Sequence, residues 1–99
     1  MKAVNGVRGE VSARLAGEDR RLCLTLGALA EIETGLGVRG AEAVAERMRR
    51  LSAKDLTVVL AALLRGGGED ELAERLASAS VSPVEAAEAV ARAFAAAGG

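Results

Sequence analysis

Gly35-Leu36-Gly37-Val38-Arg39-Gly40 matches the spacing G-x-G-x-x-G, which in dinucleotide-binding proteins lets backbone N–H groups approach a pyrophosphate. That chemistry needs a strand before the glycines and a helix after them. Here the preceding residues have helical spacing, so the segment reads as a helix–helix turn. A second glycine run, Gly66-Gly67-Gly68, follows another helical stretch. It reads as a helix stop and loop, with a hinge or a site of close backbone approach as alternatives. Cys23 could act as a nucleophile only beside a base or a positive field. Arg21 shares its strand face, but the chain contains no His. Glu31 and Glu33 point to different sides of one helix, and Glu42 and Glu46 form a solvated face. Neither pair suits an acid/base dyad.

Composition narrows the chemistry further. The 99 residues carry 13 basic and 14 acidic side chains, a net charge of −1. That balance does not suggest a nucleic-acid or membrane-surface binder. No apolar run is long enough to cross a bilayer, and the N-terminus has no hydrophobic signal region, so a cytoplasmic location is expected. The absence of His removes the commonest general base and transition-metal ligand. One Cys allows no internal disulfide and no Cys-based zinc site. Phe94 is the only aromatic residue, which leaves no platform for stacking bases. No catalytic residue, cofactor or metal is therefore expected. Hydrophobic residues make up 51% of the chain, but 22 of its positions are Ala. Leu and Val must supply most of the buried apolar area, at roughly 25 cal/mol per Å², and leftover apolar surface would suit a protein partner.

The elements follow from periodicity. Residues 1–8 read as a flexible lead-in to a single domain spanning residues 1–99. Val11, Ala13 and Leu15 alternate with polar residues, and Leu22, Leu24 and Leu26 resume the alternation after Gly17-Glu18-Asp19. This predicts a β-hairpin over residues 10–26. A turn between Glu18 and Asp19 would pair Leu15 with Leu22, Ala13 with Leu24 and Val11 with Leu26, with all six on one face. The helical part covers residues 26–97. Thr25 is a candidate N-cap, Leu29, Ile32 and Leu36 give the first helical stripe, and Gly35 and Gly37 end it. A helix over residues 41–50 buries Val44, Ala45 and Met48, with Glu46 and Arg50 as an i,i+4 pair. Arg47, Arg49 and Arg50 read as a surface basic cluster. Ser52-Ala53-Lys54-Asp55 is a variant capping box with Leu51 and Leu56 as its staple. Leu56, Val59, Leu60, Leu63 and Leu64 mark the central helix. Glu69-Asp70-Glu71 opens a short helix, with acids at its positive end. Ser82-Pro83-Val84-Glu85 opens the last one. The expected fold is α+β, an N-terminal hairpin packed on four to five short α-helices. A helix-turn-helix reading would lead into DNA with Glu69, Asp70 and Glu71, which repel phosphates.

Residues 9–38, GEVSARLAGEDRRLCLTLGALAEIETGLGV, resemble the small tail-assembly protein family of gene transfer agents, the phage-like particles of α-proteobacteria. LTLGALAEIETGLGV, residues 24–38, is the most specific piece. LSAKDLTVVLAALLRGGG, residues 51–68, is similar to the family's central helix and its glycine stop, and the alanine-rich end with Phe94 is also typical. Members resemble phage tail assembly chaperones, and some are labelled tail tube proteins. The resemblance implies a non-enzymatic protein that binds the tape-measure protein and helps tail-tube subunits polymerise around it. It carries over no catalytic or binding residue. From the residues themselves, Val84, Ala87, Ala91 and Phe94 form an apolar stripe on the last helix that could dock on the body or grip a partner helix. The free edge of the hairpin, which could add to another β-sheet, is a second candidate contact, and a homo-oligomer is a separate candidate assembly. A structural tube or connector subunit and, from another class, a small DNA-binding regulator are the competing readings.

Overall fold

A computed structural model describes residues 9–98, so the expected lead-in over residues 1–8 lies outside the described residues. The fold is α+β: a two-stranded antiparallel hairpin, β1 (Glu10–Leu15) and β2 (Glu18–Cys23), is followed by five helices. These are α1 (Leu26–Leu36), α2 (Ala41–Arg47), α3 (Ala53–Gly66), α4 (Asp70–Glu74) and α5 (Pro83–Gly98). Short 3-10 turns follow α2 at Met48–Arg50 and α4 at Leu76–Ser78.

The hairpin corrects the expected register. Its loop is Ala16-Gly17, and Leu15 pairs with Glu18, Ala13 with Arg20 and Val11 with Leu22. Ala16 and Gly17 both have positive φ (54° and 83°), the requirement of the tight two-residue turns that match strand twist. β2 is displaced by an even number of residues from the expected pairing, so Val11, Ala13, Leu15 and Leu22 still share one face. Leu24 and Leu26 leave the strand: β2 ends at Cys23, and Leu26 opens α1 with 83% of its surface exposed. Arg20 takes a place on the core face instead. It is 7% exposed and donates from Nε to the Leu15 carbonyl at 3.3 Å.

The helices follow their sequence signals closely. The Thr25 hydroxyl accepts the Ala28 N–H at 3.0 Å, and Gly37 closes α1 in the left-handed region (φ 72°). The Ser52 hydroxyl accepts the Asp55 N–H while Asp55 accepts from the Ser52 N–H, a reciprocal cap with Asp in place of Glu. Ser82 and Glu85 repeat the arrangement before α5. α3 is buried all round over residues 59–64, with Val59, Leu60, Leu63 and Leu64 all at 1% exposure or less. It packs against α1, β2, α4 and α5, and α5 also covers β1. The helix expected over residues 41–50 tightens into a 3-10 turn after Arg47. That change of pitch removes the i,i+4 geometry, and Glu46 and Arg50 form no ion pair among the described residues.

The two glycine runs do packing work. A Cβ on Gly66 would collide with the carbonyl of Cys23, and one on Gly67 with the carbonyl of Arg21. The glycines end α3 as expected, with Gly67 at its C-cap, and the α3 C-terminus also lies directly on the backbone of β2, so the stop and the close approach coincide at Gly66-Gly67-Gly68. Gly35 does the same for the crossing of α1 and α3, where a Cβ would strike Val58.

Candidate functional site

α5 docks on the body with Ala86, Ala89, Val90 and Ala93, all of them buried. Its predicted stripe is rotated away from that contact. Ala87 and Ala91 are exposed, Phe94 is half-buried, and Val84 is 66% exposed. Three of these four line one open apolar groove of about 500 Å³ together with Ala45, Met48, Leu51, Leu56 and Val90. Val84 lies outside it, one turn nearer the start of the helix.

The opposite wall comes from the joint between α2 and α3. Val44 is the buried anchor of α2, at 1% exposure. Ala45, expected in the core, is exposed on the groove wall, and Met48 is half-buried beside it. Leu51 and Leu56, the staple pair that flanks the Ser52 cap, complete the wall. Sequence reasoning found the α5 side and missed this side, because each residue had a sufficient local explanation as core or staple.

Arg47 holds this joint together. Its Nη1 donates to the Leu36 carbonyl at 3.0 Å, and its Nε and Nη2 donate to the two Asp55 oxygens at 3.1 and 3.2 Å. One guanidinium thus ties the end of α1 and the end of α2 to the start of α3. This corrects its expected place in a surface cluster with Arg49 and Arg50, which do remain exposed. Burial disfavours the Asp55 carboxylate, but hydrogen bonds from Ser52 and Arg47 and the Arg47 charge outweigh it. They hold its carboxyl below the usual range.

The motifs considered for chemistry have other roles. Gly35 is inside α1, Gly37 caps it, and the Gly40 N–H donates to Glu33 Oε2 at 2.7 Å. A carboxylate therefore already occupies the amide where a phosphate would have to bind. Cys23 is 3% exposed, and burial, followed by the Glu10 carboxylate, pushes its thiol up from the ordinary value. That environment disfavours a thiolate nucleophile. Glu31 is ion-paired with Arg65 across α1 and α3. α4 has only five residues and begins behind Glu69, whose carboxylate faces Arg20 and Arg21 at 3.6 and 3.7 Å. Such a helix is not a reading head for DNA. Among the described residues no group of three or more His, Cys, Asp or Glu could hold a metal ion. No described helix is long and apolar enough to cross a membrane.

A family model described as phage tail tube protein, GTA-gp10, matches residues 8–98. No curated protein and no solved structure matches the chain.

Proposed function

The chain belongs to the phage tail tube protein GTA-gp10 family, and on that premise we propose that it is a non-enzymatic tail assembly chaperone. It acts in the cytoplasm of the producing cell, binds the tape-measure protein and aids polymerisation of the tail-tube protein. The observation that carries this reading is the groove between α5 and the α2–α3 joint. Its lining is apolar and lacks groups for chemistry, and its walls are two helical segments between which a third amphipathic helix can lie. Ala87, Ala91 and Phe94 are the contact residues on α5, and Val84 extends the surface beyond the groove.

Co-expression with the tape-measure protein tests it. Co-purification of the two chains and improved solubility of the larger one are expected. Phe94→Ala weakens capture while unfolding stays cooperative, and Ala91→Asp, at an exposed position, weakens it without a core defect. Failure to capture any tail protein sinks the proposal, and loss of cooperative folding in Phe94→Ala assigns that ring to the core.

The family's own description favours a second reading, a structural tube or connector subunit. Immunoblots of purified particles separate the two. A chaperone is absent or present in traces, whereas a subunit is present in fixed stoichiometry.

A further inference from the structure

The two outer edges of the hairpin are treated differently by the fold. With a two-residue loop, Leu15 and Glu18 form the closing hydrogen-bonded pair, and hydrogen-bonded and non-bonded pairs alternate from there. The backbone groups of Arg21 and Cys23 therefore face outward from β2, and those of Glu10, Ser12 and Arg14 face outward from β1. The Arg21 N–H confirms this phase, since it donates to Glu69 Oε2 at 3.1 Å. On the β2 side, Glu69 takes that amide, and Gly66 and Gly67 lie against the carbonyls of Cys23 and Arg21. On the β1 side, no described residue hydrogen-bonds the outward backbone groups of Glu10, Ser12 or Arg14. The strand also has no Pro, Lys or bulge to guard that edge.

The side chains along this edge are an acid, a hydroxyl and a base in symmetric order. We propose that β1 pairs antiparallel with β1 of a second copy of this chain, with the two-fold axis at Ser12. Glu10 then faces the partner's Arg14, Ser12 faces the partner's Ser12, and Arg14 faces the partner's Glu10. All three are residues whose N–H and C=O already point outward, so each facing pair exchanges both backbone bonds. On the other face Val11 meets the partner's Ala13. The product is a four-stranded antiparallel sheet with β2 of each copy at its outer edges. The charges are available for it: among the described residues Glu10 has no basic partner, and Arg14, 71% exposed, ion-pairs with Asp19, itself 76% exposed, and donates to the Gly17 carbonyl at 3.1 Å. Any other single strand would need this charge order supplied by chance, whereas a second copy brings it by symmetry.

Sedimentation velocity of the full chain over a concentration series tests the pairing. The wild type is expected to show a monomer–dimer equilibrium. Ser12→Pro removes an outward N–H without touching the β1–β2 ladder, and is expected to abolish the dimer while its urea transition stays cooperative. Glu10→Arg and Arg14→Glu each set like charges opposite one another twice per dimer and raise the dimer Kd about tenfold or more. Mixing these two variants restores association, because each supplies the charges that the other lacks. A wild type that remains monomeric throughout overturns the proposal, as does a dimer indifferent to both charge changes. Weakening by both variants with no recovery on mixing also overturns it.

Discussion

Glu69 Oε2 accepts the backbone N–H of Arg21 at 3.1 Å, and its other oxygen stands 3.6 Å from the guanidinium of the buried Arg20. One carboxylate at the start of α4 thus seals the edge of β2 and balances a charge on the core face of the hairpin. Glu69→Ala leaves Arg20 with the Leu15 carbonyl and the solvent-exposed Glu18 at 3.8 Å. A loss of about 2–3 kcal/mol is expected in urea unfolding, below the range for a fully isolated buried charge. Glu69→Gln keeps an acceptor for Arg21 and falls between the two.

Gly67 and Gly37 separate two reasons for a glycine. Gly67→Ala drives a methyl into the β2 backbone, with nothing flexible to yield, and is expected to cost more than about 2 kcal/mol. At Gly37 nothing lies near the added carbon, and only the left-handed backbone resists it. Gly37→Ala is expected to cost about 1–2 kcal/mol. Thermal melts of the two variants, with Gly17→Ala as a second open left-handed site, check this order.

Acid should weaken the α1–α2–α3 joint. The folded protein holds the Asp55 carboxyl below its usual range, so its contribution is complete above the unfolded value and is lost as pH falls through the folded one. Asp55→Asn is expected to lower the urea midpoint at neutral pH. The gap from wild type then closes in acid. A gap that stays constant over that range contradicts the assignment.

The two faces of α5 should respond oppositely to added volume. Ala93 is completely buried, and Ala93→Leu is expected to cost about 1–3 kcal/mol through overpacking. Ala91 faces the groove, and Ala91→Leu leaves stability within about 0.5 kcal/mol while filling space that a partner would use. Chemical denaturation measures the first effect, and capture of the tape-measure protein measures the second.

Much of the architecture was legible because its signals are local. Thr25, Ser52 and Ser82 each cap a helix through the N–H three residues on, and Gly37 must end α1 wherever that helix packs. The hairpin register was not legible. Ala16-Gly17-Glu18-Asp19 holds several turn positions of the same parity, the expected Glu18-Asp19 and the observed Ala16-Gly17 among them, and each leaves the apolar alternation on one face. Choosing between them depends on Ala16 accepting positive φ and on Arg20 finding Glu69 far along the chain. The candidate site was half legible. Ala87, Ala91 and Phe94 emerged as a stripe on one helix, but Val90 and Ala93 are nearly in phase with it, and an alanine-rich helix carries little information about which face is buried. Ala45, Met48, Leu51 and Leu56 could join them only through the tertiary contact that Arg47 organises.

The groove has one wall on α5 and the other on residues 45–56, so it exists only while α5 is docked. The buried residues of α5 are alanines and a single valine, which bury little area per residue, and Phe94 adds only a partly buried contact with the core. Occupancy and helix docking are therefore thermodynamically linked. A ligand of the groove must slow amide exchange along α5, by a factor that grows as one plus the ratio of its free concentration to its Kd.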